Sequence, residues 1–228
     1  MLFADRRLSA LCCKLLLGLM LAALGACEQS DRQGSQSSAS KPPDAQSAEG
    51  KSTDGKSSKR GFHHTDITGS SLNPALNLPD RTADLRQIAD FKGKILLVFF
   101  GFTQCPDVCP TTLQEAAEAM ALLSPEQAQR VQVIFVTLDP QRDQPEMLEA
   151  YVKAFHPSFG WLRGDEEQTK TTAKSFRVFY EKVIPKSGGP YSIDHTAASF
   201  VFDPQGRLRL YVKHAQGAKA LAEDLAKL

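Results

Sequence analysis

Cys105 and Cys109 are separated by three residues in the run Gly101-Phe-Thr-Gln-Cys-Pro-Asp-Val-Cys-Pro110. A thiolate attacks disulfides and binds soft metal ions, and side chains at i and i+4 of a helix converge to within about 5 to 6 Å. Such a pair can chelate one ion. It can also close a disulfide, because its Cα separation falls in the permitted range. Thioredoxin-type exchange commonly uses Cys-x-x-Cys, one residue shorter. The bland alternative, a purely structural bridge, gains little, since closing a five-residue loop removes little chain entropy.

The pair must be held by the elements around it. Ile95 to Phe100 is an unbroken apolar run of strand length, and Val131 to Leu138 is a second, both reading as central strands buried on two faces. Between them a helix is expected over about 110–123, with Pro110 as its first residue and Leu113, Ala116, Ala117, Met120 and Leu123 on one face. Cys109 would then sit at the helix N-terminus, where free N–H groups and the dipole favour a thiolate. Cys105 and Cys109 thus follow a central strand, the place where α/β folds bind ligands. A second helix opens at Pro145, and a third follows Gly164, where Asp165 and Gln168 have capping-box spacing. Residues 199–212 read as a hairpin turning at Asp203-Pro-Gln-Gly206, and a short amphipathic helix over 218–228 closes the chain. Phe-Gly-Trp-Leu around Trp161 supplies core. Strand and helix signals alternate from Gly61 onward, the mark of an α/β domain.

The other three of the five cysteines are accounted for near the N-terminus. Arg6, Arg7 and Lys14 precede an apolar run, Leu15 to Ala26, which has the layout of an export signal and is too short to span a membrane comfortably. Its end, Leu24-Gly25-Ala26-Cys27, resembles the lipobox of bacterial lipoproteins, in which the Cys is lipidated and becomes the new N-terminus; a plain secretory signal is the alternative. Residues 1–26 would be removed, Cys27 consumed by lipid, and Cys105 and Cys109 left as the thiols of an exported protein. From Glu28 to about Arg60 the composition falls to Ser, Gln, Asp, Lys, Gly and Pro, too polar to fold. Residues 27–60 therefore read as a tether, with roughly 30 Å between its ends at rest and a reach on the order of 100 Å. Residues 61–228 form the folded domain. The formal net charge of +1, without basic blocks in the fold, excludes an electrostatic case for nucleic acid.

The chain resembles the Sco (SenC) copper proteins, thioredoxin-like assembly factors for the binuclear copper site of cytochrome c oxidase. The resemblance rests on Phe91-Lys-Gly-Lys94, the dithiol run through Thr111, Val136-Thr-Leu-Asp-Pro-Gln-Arg-Asp143 and Tyr191-Ser-Ile-Asp-His-Thr196, and covers roughly residues 61–228. It implies a thioredoxin-like α/β fold with a central mixed sheet flanked by helices. It also implies a metal site of Cys105, Cys109 and His195. Two sulfurs and an imidazole suit Cu(I) and permit Cu(II); zinc is the competing ion, with Cu(II) ahead in affinity order. Exported reductases of this fold commonly carry a cis-Pro facing the dithiol, and aligning that pattern on Ala197-Ala-Ser-Phe200 puts Ala197 in the Pro position.

Three acids are secondary candidates. Asp194 either orients His195 or caps a turn. Asp139 either faces the crevice of the dithiol or starts a turn before Pro140. Asp107 either tunes the field inside the dithiol loop or merely solvates it. His63, His64, His156 and His214 read as structural or solvated. The expected function is delivery of Cu(I) or Cu(II) by a lipid-anchored protein on the periplasmic side, to the copper subunit of the oxidase or to another copper chaperone. Two alternatives use the same thiols: reduction of a disulfide in those partners, with Cys105 as nucleophile, or redox sensing. Globomycin should block maturation at Cys27; processing insensitive to it would remove the lipoprotein reading.

Overall fold

The run Ile95–Gly101 (β4) is buried at every position in the computed structural model, which describes residues 61–228. Its side chains alternate between two cores: Ile95, Leu97 and Phe99 face one, Leu96, Val98 and Phe100 the other. A strand covered on both faces has no polar side, which is why it reads as continuous apolar sequence. The export signal, Cys27 and the tether lie outside the described residues.

In chain order the elements before β4 are β1 (Thr65–Asp66), β2 (Leu78–Pro79), β3 (Leu85–Arg86) and a 3-10 turn (Ile88–Phe91). After it come α1 (Val108–Ala121), α2 (Pro125–Gln129), β5 (Val131–Thr137), α3 (Pro145–Phe155), β6 (Gly160–Leu162) and α4 (Glu166–Ser175). The last part holds β7 (Tyr180–Val183), β8 (Ser192–His195), β9 (Ala198–Phe202), β10 (Leu208–Lys213) and α5 (Ala218–Leu225). The main sheet runs β1-β10-β9-β4-β5-β6. β4, β5 and β6 are parallel, whereas β9 pairs antiparallel with β4 and β10 with β9. This mixed sheet between helices is the expected thioredoxin-like architecture. β7 and β8 form a separate two-stranded ribbon.

One face of the sheet packs α1, α3 and α5 through Leu113, Met120, Leu148, Val152, Leu221 and Leu225. The other packs α4 and its exit, Ala173, Phe176 and Val178, with Leu76 and Leu78 of the N-terminal segment. The expected caps and turns are present where short-range chemistry dictates them. Asp165 and Gln168 bond each other's backbone N–H at 2.8 and 2.9 Å. The β9–β10 turn closes with Gly206 N–H on the Asp203 carbonyl at 2.8 Å, Gly206 taking φ 78°.

One expectation changes. Helix α1 starts at Val108, two residues before the predicted Pro110. Pro is tolerated there because the first-turn N–H it lacks would have had no helical partner. His64, read as structural or solvated, is structural and buried: its Nδ1 lies 2.8 Å from the Asp224 carboxylate, which also takes the backbone N–H groups of His63 and His64. These bonds fasten the start of the domain to α5.

Gly101, at the end of β4, has no room for a side chain, since a Cβ would lie 2.7 Å from Cys109 Sγ and 2.9 Å from the Phe135 ring. Gly101→Ala should therefore cost about 1–3 kcal/mol in denaturant unfolding, the usual range for overpacking. A loss below about 0.5 kcal/mol, the level of an ordinary surface substitution, would show that Cys109 is not packed there.

Candidate metal centre

The dithiol loop leaves β4 and turns at once, Cys105 N–H bonding the Phe102 carbonyl at 3.2 Å. Because α1 begins at Val108, Cys109 is inside its first turn and fully buried, while Cys105 stands just ahead of the helix and is half-buried. Both are free thiols. The backbone N–H of Cys109 points back at Cys105 Sγ, 3.4 Å away.

That geometry splits the pair. Hydrogen bonding from the Cys109 thiol, together with the N–H groups of Asp107 and Cys109, pulls the Cys105 pKa from 9.0 down to about 4 against the opposing effect of burial. The Cys109 pKa moves up, through its hydrogen bond to Cys105, its burial and the neighbouring thiolate charge. The expectation of a thiolate at Cys109 is thus corrected. The helix N-terminus does lower a thiol pKa, but its unpaired N–H groups face backwards along the chain to Cys105.

His195 closes the site from the end of β8. Its Nε2 lies 3.6 Å from Cys109 Sγ, and its ring stands edge-on to Phe99 and Phe102, each at 6.1 Å between centroids. Nδ1 is 3.1 Å from the Thr196 carbonyl, an acceptor, so Nδ1 carries the proton and Nε2 presents a lone pair to the sulfurs. One ligand atom from each of Cys105, Cys109 and His195 falls within 4.8 Å of the others, so the three could hold a single ion. A shallow recess of about 270 Å³ opens on them, lined in part by Phe102, Pro106, Val108 and Ala197.

The three acids are placed differently. Asp194 is exposed and does not orient His195, because the Thr196 carbonyl takes that role. Asp107 caps α1 in position only; its carboxylate accepts from Thr111 Oγ1 at 3.3 Å while its backbone N–H serves Cys105. Asp139 ends the β5 run and is buried, its oxygens taken by Tyr191 Oη at 2.8 Å and by the Arg142 guanidinium. It also starts the turn that carries Arg142 and Asp143.

Asp143 was not singled out from sequence. Its buried carboxylate accepts from Thr103 N–H and Oγ1 in the dithiol loop and from Thr137 Oγ1 at the end of β5. Burial raises its pKa. The signal was its place at the end of Asp139-Pro-Gln-Arg-Asp143, a segment whose charged residues outnumber what a simple turn needs.

On this thioredoxin-like sheet two thiols and a distal imidazole converge into a donor set that could hold a soft metal ion. The family model described as SCO1/SenC matches residues 65–228, and the chain belongs to that family. An SCO2-like protein of Rickettsia felis is 37% identical over 138 residues, 60% of this chain and 65% of the relative. The matched stretch thus spans just under two thirds of that relative's length. Among solved structures, Bradyrhizobium japonicum ScoI with copper bound is 34% identical, with a TM-score of 0.61 over 69% of this chain and 99% of that one. Apo Sco1 of Thermus thermophilus is 42% identical, with a TM-score of 0.62 over 73% and 98%. Among the described residues no helix is long and apolar enough to cross a membrane.

Because the folded pKa of Cys105 lies below its ordinary value of 9.0, the stability its thiolate contributes is whole above pH 9 and drains away as pH falls toward about 4. Of the two thiols of the reduced site, iodoacetamide should modify Cys105 and not Cys109, with a midpoint near pH 4. Cys105→Ser should flatten the rise in stability between pH 4 and 9. A midpoint near the ordinary thiol value would contradict the assignment.

Proposed function

We propose that this protein is a copper metallochaperone in which Cys105, Cys109 and His195 carry Cu(I) or Cu(II) for the assembly of the binuclear copper site of cytochrome c oxidase. The observation that carries the reading is the convergence of two sulfurs and a lone-pair-bearing Nε2 within 4.8 Å. Soft thiolates suit Cu(I), and the imidazole extends the set to Cu(II). Copper-bound relatives with this fold, including yeast Sco1 at 30% identity, support the choice of metal.

Cys105 supplies a ready thiolate as the first ligand. The incoming ion displaces the proton of Cys109, so loading releases a proton and is favoured as pH rises. Nε2 of His195 then completes the set without losing a proton, since Nδ1–H stays on Thr196. Cargo leaves by ligand exchange with thiolates or imidazoles of the oxidase copper subunit or of another copper chaperone. A lipid on Cys27 and the 27–60 tether would keep the domain on the extracytoplasmic side, within reach of a membrane-embedded acceptor. Residues 1–26 are the protein's signal, 27–60 its lipidated Cys and tether, and 61–228 its copper-binding domain.

A second reading uses the same loop as a thiol-disulfide reductase. It is favoured by the depressed pKa and partial exposure of Cys105, the properties of an attacking thiolate. Ala197 beside His195, where reductases commonly place a cis-Pro, favours copper.

Anaerobic titration of the reduced chain should give one tightly held copper. His195→Ala should weaken Cu(II) more than Cu(I), and Cys105→Ser should weaken both. A wild-type protein that binds neither ion more tightly than His195→Ala would defeat the chaperone mechanism. Failure to reduce a disulfide in the oxidase copper subunit would defeat the second reading.

A further inference from the structure

His195 hangs from a ribbon, β7–β8, that is not part of the main sheet, yet its ring must meet a dithiol fixed at the end of β4. Among the described residues, one side chain joins the two by polar contacts. The guanidinium of Arg142 donates from Nη1 to the Tyr191 carbonyl at 2.7 Å, just before β8, and to the Gln104 side-chain amide oxygen Oε1 at 3.2 Å, next to Cys105. Its Nε bonds Asp139, and the cation lies 3.6 Å from the Tyr191 ring centroid and 5.9 Å from that of Phe102. The Tyr191 hydroxyl returns to the same Asp139 at 2.8 Å.

We propose that Arg142 is the positioning residue that holds the His195 imidazole against the dithiol, by tying the cysteine loop and the β7–β8 ribbon to the buried Asp139. The inference rests on the copper reading above, since it concerns the same three donors. Each contact does separate work. Asp139 fixes the guanidinium at the end of β5, inside the sheet frame. Nη1 then reaches the Tyr191 backbone carbonyl and the Gln104 side chain at once, while the Tyr191 ring packs on the guanidinium face. Lysine keeps the charge but has one nitrogen, which cannot hold Asp139 while a second N–H group reaches Tyr191 and Gln104. The cysteines lie four residues apart in one turn and hold their spacing without help. His195 is remote in sequence and depends on the clamp.

Removing an interaction that orients a ligand typically costs 10–100-fold in metal affinity. In the full chain, Arg142→Met should therefore lower Cu(II) affinity by about 10–100-fold, while Cu(I) affinity, set by the two thiolates, falls far less. The nitrogen hyperfine pattern in the Cu(II) EPR spectrum should weaken or vanish, as in His195→Ala. In the metal-free chain, ring ¹⁵N shifts should move from a single Nδ1–H tautomer toward the averaged values of a free imidazole.

Arg142→Lys provides the same readouts with the charge kept, and far-UV circular dichroism establishes that each variant is folded. Should Arg142→Met not fold, Arg142→Lys and Tyr191→Phe decide the matter. Loss of the nitrogen signature in folded variants supports the clamp. Wild-type EPR spectra, affinity and ring shifts in Arg142→Met and Arg142→Lys overturn it. If wild type and His195→Ala already give the same Cu(II) spectrum, the copper reading itself fails, an outcome distinct from failure of the clamp.

Discussion

The approach of His195 Nε2 to Cys109 Sγ at 3.6 Å is the constraint on which the site depends. The two residues are 86 positions apart, one in helix α1 and the other in the β7–β8 ribbon, so no local rule of helix or strand brings them together. Their meeting needs Cys109 buried under the end of β4, where Gly101 leaves space for its sulfur, and the imidazole edged between Phe99 and Phe102. It also needs the Thr196 carbonyl to hold the proton on Nδ1, which leaves the facing nitrogen a donor.

The chemistry follows from how neighbouring groups are occupied. Buried acids close to the loop would offer hard oxygen ligands, but Asp139 is held by Tyr191 and Arg142, and Asp143 by Thr103 and Thr137. What remains free to bind is soft: one thiolate, one thiol and one imidazole. The thiolate and thiol differ because of where the helix begins. Starting α1 at Val108 aims its spare N–H groups at Cys105 and leaves Cys109 in the low-dielectric interior. A single helix terminus thereby creates a charged sulfur at the surface and a proton-bearing one beneath it.

Much of this was legible in the chain because it rests on short-range pattern. The two central strands, the helix opened by Pro145, the Asp165–Gln168 box and the β9–β10 turn each carry their own signal in a few residues. The dithiol and the family resemblance named the donors, and the structure brings those three together. What escaped was set by tertiary geometry. The strand β7 has mostly exposed residues, and its apolar Val183, like the neighbouring Phe179 and Ile184, is turned to solvent, so no alternation of buried and exposed positions marks it as strand. The two-residue error at the start of α1 reversed the ionisation of the cysteines. The role of Arg142 could not be read from spacing, since its partners Gln104 and Tyr191 lie 38 and 49 residues away. The Asp224 partner of His64 escaped for the same reason, being 160 residues distant.

The central claim is that one ion is held by both sulfurs and the remote imidazole together. X-ray absorption at the copper edge of the loaded, reduced chain measures that ligand set directly. Two sulfur scatterers and one imidazole, with the imidazole contribution absent in His195→Ala, is the predicted result. A copper shell with fewer than two sulfurs, or one identical in wild type and His195→Ala, would contradict the account.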